Sequence, residues 1–467
     1  MTQFQDQGDR DKTNRRASIA AHHKHLLPAF AVLAASMVVA EHGSAQASPT
    51  TPVRLSVQLA QPVLLSGGKR TTYLKVALKG IPRVAQPVRA PINLAIVLDR
   101  SGSMAGDRLA KAKEAAAMLV RRLRPSDTVS VVMYDHNVNV LAPATRDWSR
   151  AELLAQIARI EAGGNTALFA GVSKGAAEVR KFLNRSHVNR VILLSDGKAN
   201  VGPSSPDDLA QLGASLIKQG ISVSTVGLGD SYNEDLMVAL ARASDGNHDY
   251  ARTANDLARI FDLELRDLSD VVAREARIRI RCGRGVRPIR MLGRDAEIVG
   301  DTIVTQINDI YADHEKFVMI EVEIETGSEG EGRRVADVSV GYTNPADEQT
   351  WTLAGAAEAT FTRMPATVEN NTIQSVMVDG VALVAAENNK RAVVLMDTGK
   401  QAEAAATLES NAAFLDSNAD RYQSEVLRNN ARRNRVQLEM QRARPAASGL
   451  RKDMREYELQ NEYQMRR

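Results

Sequence analysis

From Val53 to Leu59 the chain reads VRLSVQL, and Val53, Leu55, Val57 and Leu59 alternate with polar residues. A period of two with one apolar face predicts a half-buried strand. Leu74, Val76 and Leu78 repeat the pattern after the Ser66-Gly67-Gly68 turn, and Pro82, Pro87 and Pro91 then mark a linker. At Ile92 the texture changes. Ile92–Leu98 is continuously apolar, as expected for a strand covered on both faces. Leu109, Ala112, Ala116, Leu119 and Leu123 follow at helical spacing. Thr128–Tyr134 is β-like; Leu153, Ile157 and Ile160 are helical, and a further helix is predicted from about 167 to 183. Val191–Leu194 and Ile221–Val226 read as strands, with a helix through Leu209, Leu212 and Leu216 between them and helices at 234–242 and 255–271 after them. Strand alternating with helix over this length predicts a doubly wound, Rossmann-like α/β domain around a mainly parallel sheet.

Beyond about Ala273 the period returns to two. Ala276, Ile278, Ile280 and Cys282 face one way, and Arg277, Arg279 and Arg281 the other. Val318, Ile320, Val322 and Ile324 alternate with Met319, Glu321, Glu323 and Glu325, and Val335–Tyr342 is a further strand. Strands on both sides of the α/β unit predict a β-sandwich-like domain into which that unit is inserted. The Arg and Glu stripes either pair across neighbouring strands or form two separately solvated faces. From about Thr367 the pattern is helical again, and Thr398-Gly399 between two helical stretches predicts a hairpin. The expected division is a signal peptide at 1–47, N-terminal strands at 48–90, the α/β domain at 91–272 and a β-rich domain at 273–366. A helical hairpin at 367–420 and a basic tail at 421–467, helical or partly disordered, complete it.

The amino terminus has its own texture. Residues 1–25 are polar and carry Arg10, Lys12, Arg15, Arg16 and Lys24, and Leu26–Ala40 has no charge. Ala45-Gln46-Ala47 then supplies small residues at the first and third positions. That order predicts a cleaved secretory leader, with a retained anchor as the alternative, and the apolar stretch is short of a membrane span. The histidines His22, His23 and His25 fall inside it, so they are not read as a metal site. A periplasmic or secreted protein is expected, with no transmembrane span in the mature chain.

Composition narrows the classes. The 467 residues allow about three domains at the usual domain size. At 44% apolar the chain can bury a core, which excludes wholesale disorder. The single cysteine, Cys282, rules out an intramolecular disulfide framework and a cysteine-based zinc site. A net charge of +4, from 60 basic and 56 acidic residues, does not suggest a dedicated nucleic-acid binder. Residues 421–467 are locally basic; an ordinary solvated helix and a contact for an acidic partner are both open.

In an open parallel sheet, ligands bind beyond the carboxyl ends of the strands. The first apolar run is followed by Asp99-Arg100-Ser101-Gly102-Ser103-Met104, and Val191–Leu194 by Ser195-Asp196-Gly197. Between them Gly163-Gly164-Asn165-Thr166 precedes a helix. These segments bring two carboxylates and three hydroxyls to one edge, with glycines for tight turns. Such hard oxygen donors suit Mg²⁺, Mn²⁺ or Ca²⁺, with a coordination position left for solvent or an incoming carboxylate. Taken singly, Asp99 and Ser103 could instead cap the helix near Asp107, and Asp196 could shape a turn. His136 and His248 follow strand-like segments and are read as ordinary loop histidines, and Trp148 as packing at a helix start. Gly227-Leu228-Gly229 lacks the third glycine of a dinucleotide fingerprint, and the stretch from Gly164 to Lys174 has no phosphate-loop Gly-Lys-Ser/Thr.

The Asp99-x-Ser101-x-Ser103 sequence, the later Thr166 and the Ser195-Asp196-Gly197 turn resemble the metal-ion-dependent adhesion site of von Willebrand factor type A domains. The resemblance covers roughly residues 90–272. It implies Asp99, Ser101, Ser103, Thr166 and Asp196 as metal ligands: Ser101 and Ser103 direct, Thr166 and Asp196 exchanging direct and water-mediated binding. The stretch Gly227–Leu236 resembles the exported bacterial branch, which is similar to the A domains of inter-alpha-trypsin inhibitor heavy chains and calcium-activated channel-like proteins. The expected function is cation-dependent binding of a protein partner that presents an Asp or Glu carboxylate, in adhesion or envelope assembly, without enzymatic activity. A metal-dependent hydrolase and a subunit of an ATP-driven complex are the alternatives.

Overall fold

The structure, a computed structural model, describes residues 51–82, 90–229, 232–251, 253–443 and 448–465. The expected leader, most of the proline linker and Asp230-Ser231 lie outside the described residues. Three strands come first: β1 (Val53–Leu59), β2 (Val63–Leu65) and β3 (Arg70–Gly80). The α/β unit then runs β4 (Ile92–Asp99), α1 (Asp107–Arg122), β5 (Thr128–Tyr134), β6 (Val138–Thr145), α2 (Arg150–Ala158), α3 (Leu168–Arg180) and β7 (Val188–Ser195). It closes with α4 (Pro206–Ile217), β8 (Ile221–Leu228), α5 (Glu234–Ala243), β9 (His248–Ala251) and α6 (Ala254–Ser269). Seven strands follow: β10 (Val271–Cys282), β11 (Val286–Leu292), β12 (Glu297–Val299), β13 (Thr302–Tyr311), β14 (Glu315–Ile324), β15 (Gly332–Thr343) and β16 (Thr350–Thr362). The helices α7 (Pro365–Asn370), α8 (Gln374–Asp397), α9 (Gln401–Arg421), α10 (Glu425–Ala443) and α11 (Ser448–Glu462) complete the chain.

The central sheet has the order β6-β5-β4-β7-β8-β9, and only β6 runs antiparallel. Every residue of β4, β7 and β8 is buried, which is why β4 and the second half of β7 read as apolar runs; the polar residues of β7 and β8, such as Arg190 and Ser224, are hydrogen-bonded inside. One face packs on α1, α2 and α6, the other on α3, α4 and α5. The remaining strands form two sheets, β1-β3-β14-β11 and β12-β13-β10-β15-β16-β2, whose inner faces share one apolar core. Each sheet joins strands from before and after the α/β unit. Leu74, Val76 and Leu78 of β3 lie opposite Ile320, Val318 and Lys316 of β14. The α/β unit is therefore an insertion in a β-sandwich.

The Arg and Glu stripes do not pair with one another, because β10 and β14 belong to different sheets. Glu321 meets Arg290, and Glu323 meets Lys69 and Arg287. The charged tail is not simply solvated over its described residues. Leu438, Leu450 and Met454 are buried against α8 and α9. Arg451 and Arg455 donate to Asp235 at 2.9 and 3.0 Å. Inside the helical region, the Asn411 amide donates to Ala385 O, Asn389 Oδ1 and Asn434 Oδ1, a polar layer linking α8, α9 and α10. No described helix is long and apolar enough to cross a membrane.

A buried ion-pair network joins the insertion to the sandwich. Arg190 of β7 donates to Glu264 of α6 at 3.1 Å and to Asp309 of β13 at 2.9 Å. Arg274 of β10 reaches the other oxygen of Asp309 at 3.2 Å and also donates to Gly220 O at 2.9 Å. All four charged side chains are buried.

Candidate metal centre

β4 lies between β5 and β7, and the register sets Asp99 beside Tyr134 and Leu98 beside Leu194. Three strands thus end together, at Asp99, Tyr134 and Ser195. The Asp99 carboxylate is fully buried and accepts three hydrogen bonds. The Ser101 N–H donates to Oδ1 at 2.9 Å, and the Ser195 and Tyr134 hydroxyls to Oδ2 at 2.6 and 3.2 Å. Burial pushes this carboxyl above its ordinary value; the bonds from Ser195 and Ser101 pull it back, and the charge of Asp196 raises it again.

Beyond Asp99 the chain turns so that the Ser101 and Ser103 hydroxyls stand 3.2 Å apart. The helix-capping alternative does not hold: α1 starts from Gly106, at φ +80°, with no side-chain cap. The glycine loop is laced to this turn. Gly163 N–H donates to Arg100 O at 2.7 Å, and Gly102 N–H to Gly164 O at 2.9 Å. Gly164 has φ +75°, and a Cβ there would stand 2.3 Å from His136 Nδ1. Thr166 is buried two residues on. Its N–H donates to Asn200 Oδ1 at 2.8 Å, and its carbonyl accepts from Asn200 and Val201 N–H at 3.1 and 3.2 Å. Thr166 is therefore pinned between the Asp99–Ser103 loop and the loop after β7.

Asp196, on that last loop, is fully buried. Its backbone carbonyl accepts from Asn233 N–H at 3.2 Å. Its Oδ2 has no hydrogen-bond partner among the described residues. Arg108 Nη1 stands 3.5 Å from Oδ2 while donating to Ser103 O at 2.6 Å. A buried carboxylate oxygen without a hydrogen bond is costly; Arg108 offers it charge but no hydrogen bond, and a metal ion coordinated by it would relieve that cost. The donors here are two carboxylates and three hydroxyls, a hard oxygen set. Among the described residues no group of three or more His, Cys, Asp or Glu is spaced to hold a metal. The residues present fit a hard dication and not a zinc or copper centre.

Three contributors escaped the sequence reading. In the sequence Ser195 is only part of a turn, yet its hydroxyl donates to Asp99 while accepting from Gly197 N–H at 2.8 Å. Tyr134 became a partner through strand register, which no local pattern announces. Its ring is tightly seated: a Cβ at Gly171 would lie 2.6 Å from Tyr134 Cδ1. Arg108 depends on the direction in which α1 leaves the loop. Trp148 does pack at the start of α2, donating from its indole to Asp127 O at 3.1 Å.

His248 does not serve this edge. It is buried in β9, 2.8 Å from the Thr225 hydroxyl and 3.1 Å from that of Tyr232. Burial lowers its pKa from 6.5 to about 3. The unfolded chain therefore binds a proton in that window that the folded chain does not, so stability is lost as pH falls below 6.5. In urea titrations between pH 7 and 4, His248→Gln is expected to flatten the slope by about 1.4 kcal/mol per pH unit. An unchanged slope would show that this histidine is not buried neutral.

Comparison with known proteins bears on the same region. The model of the von Willebrand factor type A domain matches residues 93–264. The Escherichia coli (strain K12) protein YfbK is 29% identical over 239 residues, 51% of this chain and 41% of that protein. Protein sll0103 of Synechocystis sp. is 26% identical over 272 residues, 56% of this chain and 64% of that protein. Human inter-alpha-trypsin inhibitor heavy chain H3 is 28% identical over 185 residues, 38% of this chain and 20% of that protein. The chain thus spans less than two thirds of each of these relatives. A von Willebrand factor type A protein from Catenulispora acidiphila superimposes with a TM-score of 0.68 at 18% identity, covering 89% of this chain and 97% of that one. The ArnB paralog VWA2 from Sulfolobus acidocaldarius gives 0.60 at 17% identity, covering 88% and 98%. At such identities the likeness concerns fold, and it extends well beyond the α/β unit. With sheet order, strand-end loops and family match in agreement, residues 93–264 of this chain form a von Willebrand factor type A domain.

Proposed function

We propose that this protein binds a divalent cation, Mg²⁺ with Mn²⁺ or Ca²⁺ as substitutes, through Asp99, Ser101, Ser103, Thr166 and Asp196. Through that ion it captures an acidic group of a protein partner. The observation that carries the reading is the buried Asp196 Oδ2, which has the Arg108 guanidinium 3.5 Å away but no hydrogen-bond partner among the described residues, in a loop cluster whose acidic and hydroxyl side chains are all hard oxygen donors. The bound ion would supply a Lewis-acidic point for a partner's Asp or Glu carboxylate. The chain's own residues hold that point in place. Ser195 and Tyr134 orient Asp99, Asn200 fixes Thr166, and the backbone bonds between 100–102 and 163–164 keep the two loops together.

The reading is one of binding, not catalysis: the five donors are backed by structural hydroxyls and amides, and no nucleophile or general base is singled out beside them. Type A domains generally mediate protein–protein interaction, and the leader expected over 1–47 would place this one in the periplasm or outside the cell, in adhesion or envelope assembly. The test is capture of a partner from an envelope extract by the full mature chain, with Mg²⁺ or with EDTA. Capture is expected with Mg²⁺ only, and only by a chain that retains Asp99. Equal capture in EDTA would overturn the cation-bridged reading.

A further inference from the structure

The candidate metal centre includes a cation that its five oxygen donors do not account for. Arg108 is the second residue of α1, a helix that starts from Gly106 with no side-chain cap. The amino end of a helix carries positive partial charge, so an acid is favoured there and a cation disfavoured. Asp107 follows that rule and Arg108 breaks it. What holds the guanidinium in place lies on the neighbouring loops. Its Nη1 donates to Ser103 O at 2.6 Å and stands 3.5 Å from Oδ2 of the fully buried Asp196. The end of β8 closes in as well: Gly229 has φ +78°, and a Cβ there would stand 2.7 Å from Arg108 Nε. The guanidinium is thus seated among the segments that follow β4, β7 and β8.

This seat has an electrostatic consequence. Asp99 and Asp196 are both fully buried, and a buried charge is stable only with a partner. Arg108 gives Asp196 an opposite charge, although Oδ2 receives no hydrogen bond. A guanidinium this close to a ligand oxygen is also close to any ion that the oxygen binds. Like charges repel strongly where water is largely excluded. One contact therefore stabilises the protein without an ion and opposes the ion's entry.

We propose that Arg108 is a built-in competitor of the metal, the counter-charge of Asp196 when no ion is bound and the residue that weakens the site's hold on a dication. The inference rests on the cation-binding reading given above. A site weakened in this way fills and empties with the surrounding concentration of the ion and does not hold it permanently.

Two measurements on the full mature chain test this: Mn²⁺ affinity, from electron paramagnetic resonance of the free ion, and melting temperature in EDTA. Arg108→Gln keeps a donor for Ser103 O and removes the charge, whereas Arg108→Lys keeps the charge. The Gln variant is expected to bind Mn²⁺ at least about tenfold more tightly and to melt lower in EDTA, because Asp196 loses its counter-charge. The Lys variant should stay within about threefold of the wild-type affinity. A side chain that merely props the loops would lower affinity and melting temperature together, so the opposite signs identify a competitor. The inference is overturned if the Gln variant binds Mn²⁺ no more tightly than the wild type, if it melts no lower in EDTA, or if Lys tightens binding as much as Gln. Failure of the wild type and both variants alike to bind Mn²⁺ would instead overturn the metal assignment itself, and this inference with it.

Discussion

Asp99→Ala is expected to abolish measurable Mn²⁺ binding, read by electron paramagnetic resonance of the free ion against protein concentration. Loss of an outer-shell partner in a metal site typically costs about 10–100-fold in affinity; loss of one of only two carboxylates should exceed the upper figure. The substitution does more than remove a charge. It strips an acceptor from Ser195, Tyr134 and the Ser101 N–H, all buried, and each orphaned donor costs about 1–3 kcal/mol. Part of that is offset, because the metal-free protein no longer buries Asp99 beside Asp196. Asp99→Asn separates the two effects. It retains a carbonyl oxygen and the shape of the site while removing the charge. Both variants should lose the metal, with the Asn variant unfolding at a temperature close to that of the metal-free wild type. If Asn binds Mn²⁺ within about threefold of wild type, under 1 kcal/mol, the carboxylate is not a ligand and the site assignment fails.

The second large effect concerns Asp309, distant in sequence from every site residue. Asp309→Ala should destabilise the protein by about 3–5 kcal/mol, the usual cost of removing one partner of a buried charge cluster. Its two oxygens divide between Arg190 and Arg274, both fully buried. Burial opposes the charge on Arg190, but Glu264, Tyr311 and Asp309 more than offset this and hold it protonated. Without Asp309, Arg190 keeps Glu264, whereas Arg274 keeps only backbone carbonyls and becomes a buried guanidinium with no counter-charge among the described residues. Urea unfolding followed by tryptophan fluorescence reads both sides, since Trp148 lies in the α/β unit and Trp351 on β16. The expected result is an earlier and broader transition as the two parts uncouple. A loss below about 1 kcal/mol would mean that the seam is held by apolar packing alone.

The parts of the fold that were legible are those where burial leaves a periodic trace. β4 and β7 are covered on both faces, so they read as apolar runs. From Ala276 on, β10 is covered on one face, so it alternates, as does the end of β14; the first half of β14 is covered on both, Phe317 and Met319 packing on α8. β9, four residues long, and β6, an edge strand of intermediate burial, leave no such trace. The basic tail reads as solvated because its charges outnumber its apolar residues. Its arginines nonetheless face Asp235 and Asp397, acids that no linear scan can pair with it.

What the sequence by itself determined is the chemistry at each strand end: which oxygens stand after β4, before α3 and after β7. Those positions are local, and the alternation of strand and helix was enough to order them. The tertiary structure decided which side chains support them. Strand register set Tyr134 beside Asp99, the exit of α1 brought Arg108 to Asp196, and docking of α11 on α5 brought Arg451 and Arg455 to Asp235. Each of these depends on packing between segments far apart in the chain. Such packing is chosen by the whole core at once, and so no single stretch of residues records it.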